Sequence, residues 1–155
     1  MRPAAWTAPE ELGWRGYLQP RLDQLGVRGS LLIVVVIEIL YHAPLIVLGG
    51  YLASGSLATT FGLALLGKLA GTALWTYGTN RLQSIWVAFW FHTLHNAFSQ
   101  TIFPKVFGAG SPNVLGEIGI LPVSCALVVS GALVVLARVQ HRPFLPLPWP
   151  APPST

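Results

Sequence analysis

Charge is what this sequence has least of: Asp, Glu, Lys and Arg together make up 9% of its 155 residues. Soluble domains carry about a quarter charged residues. A water-soluble fold made from this chain, which is 53% hydrophobic with a mean hydropathy of +0.60, would show large apolar patches to water. A bilayer removes that difficulty, so the chain reads as a membrane protein. Cysteine is nearly absent too. Cys125 is the single one, which excludes an internal disulfide, and no metal motif surrounds it in its apolar run. The zinc pattern HExxH does not occur, and no internal repeat is visible. Met1 to Pro9 lacks the apolar core of a cleavable signal peptide. The composition leaves no room for a separate soluble domain, and no nucleic-acid partner is expected.

Long apolar runs occupy the space that charge leaves. The length suits about four spanning helices of roughly 20 residues each. The first span runs from Leu31 to about Gly50, the second from about Leu57 to Tyr77, the third from about Leu82 to Ile102 and the fourth from about Ile118 to Val139. Residues 1–30 are mixed. Pro9 suits the first position of a helix and Pro20 a kink or an end. Leu12, Tyr17, Leu18, Leu22 and Leu25 form a loose apolar stripe against Arg15, Arg21 and Asp23, as in a helix lying near a membrane surface. Pro104 to Pro112 reads as a loop, and the Pro-rich tail 142–155 as disordered or extended. The expected fold is therefore an all-α, polytopic membrane helix bundle. It has about four transmembrane helices preceded by an amphipathic or partly embedded helix. A membrane-embedded domain covers residues 1–141, followed by the tail.

The positive-inside rule orients this bundle. Arg2, Arg15, Arg21 and Arg28 precede the first span, Arg81 separates the second from the third, and Arg138 and Arg142 follow the fourth. All seven fall on one side, with only Lys105 on the other. The expectation is a multi-pass protein of the plasma membrane with both termini cytoplasmic.

Ionisable groups inside a span cost roughly 2.5–3.5 kcal/mol each on insertion scales and are functional suspects. Here they are Glu38 and His42 in span one, Lys68 in span two, and His92 and His95, with the amide Asn96, in span three. His42 and His92 each lie about ten residues from the cytoplasmic end, roughly 15 Å deep. His92 and Asn96 share a helix face, as do Glu38 and His42, and His95 flanks the former. The blander reading is a set of helix–helix hydrogen bonds. Two histidines at one depth, with an amide and carboxylates nearby, favour a site. Lys68 has no evident acid at its depth and reads as pairing with a carbonyl or snorkelling.

Three segments carry a resemblance. Glu10-Glu11-Leu-Gly-Trp-Arg15 resembles the EExxxR signature of the CAAX prenyl-protease and bacteriocin-processing family, which are intramembrane glutamate proteases. Leu40-Tyr41-His42-Ala43-Pro44 is similar to the family's second motif, and His92-Thr-Leu-His95-Asn96 to its HxxxN motif. They occur in family order over roughly residues 5 to 100. The resemblance implies a metal-independent endopeptidase acting on a peptide or lipidated protein in the bilayer. It implies that Glu10, with His42, activates water, that Glu11 is structural and paired with Arg15, and that His92 and Asn96 stabilise the oxyanion. These residue types suit peptide hydrolysis, which needs a base for water and fixed donors for developing charge. Water requires a polar cavity opening to the cytoplasm. Glu38 departs from the family, which usually has an aromatic residue there. Two roles are open to it: orienting His42, or competing with Glu10 as the base. Family members also have several spans before the first motif, so the chain is expected to be short of them, with His95 and Glu38 as modulators of the site.

Two other functions compete. A zinc-dependent membrane hydrolase would use His42, His92 and His95 or a glutamate, with water as fourth ligand; otherwise no cofactor is expected. A membrane immunity or scaffold protein would keep the fold without catalysis. Transport fits less well, since no pair of broken repeats is recognisable.

Overall fold

The computed structural model describes residues 3–25, 29–49, 56–107, 114, 116 and 119–141. Helix α1 (Pro3–Glu11) continues through a π-helical segment (Leu12–Leu18) into α2 (Gln19–Gln24). Then follow α3 (Ser30–Gly49), α4 (Leu57–Leu82) and α5 (Ile85–Ala97). A second π-helical segment (Phe98–Ile102) leads into α6 (Phe103–Phe107), and α7 (Ile120–Val139) comes last. The described residues contain no strand, and the molecule is the all-α bundle expected. The tail 142–155 and residues Arg2, Arg28 and Gly50 lie outside the described residues.

Among the described residues, three helices are long and apolar enough to cross a membrane: Ser30–Leu48, Leu57–Leu82 and Ile120–Val139. The expected third span is helical throughout but divided, because the α-helical hydrogen bonding of α5 gives way at Phe98. Pro104 explains the break. It has no N–H, and its ring crowds the carbonyl one turn back, so the chain widens into a π turn before it. The Ser99 hydroxyl donates to the His95 carbonyl across 2.7 Å. The same stretch corrects the loop reading after Pro104, where residues 103–107 form α6.

The N-terminal helix departs further from expectation. Pro9 does not open it but lies inside α1. Its polarity is inside out relative to a helix of a water-soluble protein. Thr7, Glu11, Arg15 and Gln19 are all buried, while Trp6, Leu12, Tyr17 and Leu25 point outward, Tyr17 with 71% of its surface exposed. In lipid the apolar face belongs outside and polar groups must find partners within. The spacing of four explains the π segment. Residues four apart drift by about 40° per step around an α-helix. The wider i→i+5 turn offsets that drift and keeps Glu11, Arg15 and Gln19 on one inward face.

Helix α4 packs against α3, α5 and α7, while α1 packs against α5 and α2 against α3. Ser56 caps α4 by accepting from the Thr59 N–H at 3.1 Å, which satisfies an orphan donor of the first turn. Its end is a left-handed Gln83, φ 49°, and the extended Ser84 starts α5 at once. This short turn folds α5 back along α4. The close approach needs Gly78, where an added Cβ would lie 2.8 Å from Val87 Cγ1.

Candidate active site

The inward stripe of the N-terminal helix meets α3, α4 and α5 in a buried chain of charges. Arg15 is at its centre. Its Nη1 donates to Glu11 Oε1 at 3.1 Å, one helical turn back. Its Nη2 donates to Thr72 Oγ1 at 2.7 Å and makes an ion pair with Glu38 Oε1 at 2.7 Å. The guanidinium lies 5.0 Å from the Trp75 ring centre, a cation–π distance. Glu11 Oε1 also meets His92 Nδ1 at 2.7 Å, and the His92 ring stacks on Trp75 with centroids 4.7 Å apart and planes at 12°. Glu11 and Glu38 are 1% and 0% exposed. Carboxylates buried this deeply persist only when paired.

Lys68 is the correction here. It pairs with Glu38 Oε2 at 3.5 Å and so has an acid within reach. Counting backbone depth hid this, because both side chains are long. Arg15 is corrected too: at 2% exposure it is an internal ion-pair partner and no marker of membrane orientation. Arg21, Arg81 and Arg138 remain exposed, as does Lys105.

His42 is held differently. Its Nδ1 lies 2.7 Å from the Glu38 carbonyl, and since a carbonyl only accepts, Nδ1 carries the hydrogen. Tyr41 packs edge-on against the His42 ring and Trp14 against Tyr41. Glu38 thus contributes its backbone to His42 and its carboxylate to Arg15 and Lys68. Glu10 is half-buried, with Oε2 lacking a hydrogen-bond partner among the described residues, and Asn96 Oδ1 is buried in the same condition. His95 sits edge-on to Trp75, centroids 6.4 Å apart.

Of the residues read from the sequence, Glu11, Arg15, Glu38, Lys68 and His92 are therefore joined by side-chain contacts, and His42 joins them through the Glu38 carbonyl. A cavity of about 570 Å³ between α4, α5 and α7 takes in His92, His95, Lys68 and Arg81 among apolar walls that include Leu74, Phe91 and Val123. Glu10, His42 and Asn96 do not line it. Sequence reasoning missed Trp75 and Thr72. Both lie with Lys68 and Thr76 on the inward face of α4, a polar periodicity that was legible had span two been read for more than its one charge. Among the described residues, no group of three or more His, Cys, Asp or Glu could hold a metal ion.

The family described as type II CAAX prenyl endopeptidase Rce1-like covers residues 4–98, the stretch from α1 to the start of the second π-helical segment. Searches of curated proteins and of solved structures found no significant match.

Proposed function

This chain belongs to the Rce1-like family of type II CAAX prenyl endopeptidases, and from that membership we propose that it cleaves peptide bonds inside the membrane without a metal. The observation that carries the proposal is the buried Glu11 carboxylate, shared between Arg15 at 3.1 Å and His92 Nδ1 at 2.7 Å, within the matched segment. Such a carboxylate–imidazole contact fixes the ring and its tautomer.

Glu10 and His42 activate the water. With its Nδ1 hydrogen committed to the Glu38 carbonyl, a neutral His42 has its lone pair on Nε2, where it can accept a proton from water. The resulting hydroxide attacks the scissile carbonyl carbon. Negative charge then grows on the carbonyl oxygen, where Asn96 and His92 act as donors. Because His92 Nδ1 faces Glu11, its Nε2 donates only in the imidazolium form. Collapse of the tetrahedral intermediate expels the amine, which leaves with the proton taken from water. Glu11 and Arg15 do no chemistry and hold His92 in place, while Glu38 and His95 modulate the site. The substrate is a peptide or lipidated protein presented from the bilayer. The chain works as a multi-pass protein of the plasma membrane with both ends cytoplasmic.

The test is hydrolysis of a prenylated peptide by the full-length protein in liposomes, with and without chelator. Glu10→Ala and His42→Ala are each expected to abolish turnover, and chelation to leave it unchanged. Wild-type rates in both variants would refute the assignment, and loss with chelator would favour a zinc hydrolase.

A further inference from the structure

We infer that the seam between the N-terminal helix and α4 binds a water molecule against Arg15, at the inner end of a polar path separate from the apolar groove. The inference rests on the protease reading only for its use, since the site itself stands on geometry. Two polar stripes meet along this seam. Arg15, Gln19 and Asp23 recur every four residues on one side, and Thr72, Thr76 and Thr79 line the other. They are stitched by Arg15 Nη2 donating to Thr72 at 2.7 Å and by the Thr76 hydroxyl donating to Gln19 Oε1 at 3.0 Å.

Along this seam lies a cavity of about 10 Å³, lined by Arg15, Gln19, Asp23, Thr76, Thr79 and Asn80. That is about the space one water needs. Two of the lining groups ask for one. Arg15 Nε and Thr79 Oγ1 are buried and have no hydrogen-bond partner among the described residues, while the Arg15 guanidinium is held in place through its two Nη atoms. A buried polar atom left unpaired is costly. The occupant must accept from the Nε–H and exchange a hydrogen bond with a hydroxyl. A cation is repelled by the guanidinium, an anion by Asp23, and a larger molecule does not fit. Water meets every condition.

The path matters because hydrolysis consumes water, while the large groove beside His92 is walled mostly by aliphatic and aromatic side chains, with Lys68, Arg81 and His95 also on its lining. The seam runs from Asp23, near the end of the N-terminal helix, inward to Arg15, whose Nη1 holds Glu11 and whose Nη2 holds Thr72 and Glu38. It is a polar way in that does not compete with an apolar substrate for the groove.

The experiment is X-ray hydroxyl-radical footprinting of the full-length protein in lipid nanodiscs, with H₂¹⁸O as the probe, alongside hydrolysis of a prenylated peptide. Pro20 is buried and lines the cavity, so its labelling reports bound water, and exposed Trp86 is the control. Pro20 is expected to label in the wild type. In Thr79→Val labelling falls roughly tenfold and kcat falls with KM unchanged, while Thr79→Ser keeps both. An unlabelled Pro20, or labelling that persists in Thr79→Val, overturns the water site even where hydrolysis is normal. Labelling that follows this pattern without any peptide hydrolysis supports the water site and counts against the protease reading instead.

Discussion

Removing Lys68 and Glu38, singly and together, asks whether the buried charges form one balanced unit. At 3.5 Å two unit charges attract by about 5 kcal/mol at an effective dielectric near 20, and desolvation takes back a large part. Lys68 is also slightly open to the groove, with 12% of its side chain exposed. Lys68→Met is therefore expected to destabilise by about 2 kcal/mol, since Glu38 keeps Arg15 at 2.7 Å. Glu38→Gln strips a partner from both cations at once and should cost about 4 kcal/mol, in the range for breaking a buried pair. The double variant leaves Arg15 facing Glu11 with no net charge between them. Its expected loss is about 2 kcal/mol, against about 6 if the effects simply added. The assay is reversible unfolding in mixed micelles, with all four proteins in one double-mutant cycle. Additivity within about 0.5 kcal/mol would show that the two charges do not sense each other and would refute the balanced unit.

Glu11→Gln keeps the shape of the side chain but loses the charge that Arg15 and His92 share. With about 2–3 kcal/mol in a hydrogen bond to a charged group, kcat should fall by roughly 30- to 160-fold with KM little changed, and unaltered turnover of a prenylated peptide would contradict the positioning role. Gly78→Ala forces a Cβ to 2.8 Å from Val87 and should lower stability by about 1–3 kcal/mol. Adding Val87→Ala should recover most of this in thermal unfolding, and the absence of recovery would place the strain elsewhere. In a Cys125→Ala background, Lys105→Cys and Arg138→Cys should react with an impermeant maleimide from opposite faces of sealed vesicles, and labelling from one face would overturn the orientation.

Much of the architecture was legible because the bilayer imposes it. Runs of about 20 apolar residues have few other uses, and α3, α4 and α7 lie where those runs predict. The Glu11–Arg15 pair follows from the resemblance and from a spacing of four on one helix. The misplacing of Arg15 came from applying an aqueous rule in a lipid setting. The stripe of Leu12, Tyr17 and Leu25 looked like a face seeking a membrane surface, with Arg15 left in water. In a bundle surrounded by lipid the same pattern points the other way, and the buried side is the polar one. Arg15 then stops being evidence of orientation and becomes the centre of the site.

The same inversion accounts for the two residues that the family pattern left over. Glu38 departs from the pattern that the resemblance implies, and Lys68 had no partner by depth. Each is expensive alone in an apolar span, and each lies within reach of the other. Taken together they add no net charge, and they let Arg15 serve two carboxylates on two helices. A substitution that introduces charge into a membrane core is therefore read best in pairs. An unexplained acid on one helix is a reason to look for an unexplained base on its neighbour, at the distance that side chains reach rather than at equal backbone depth.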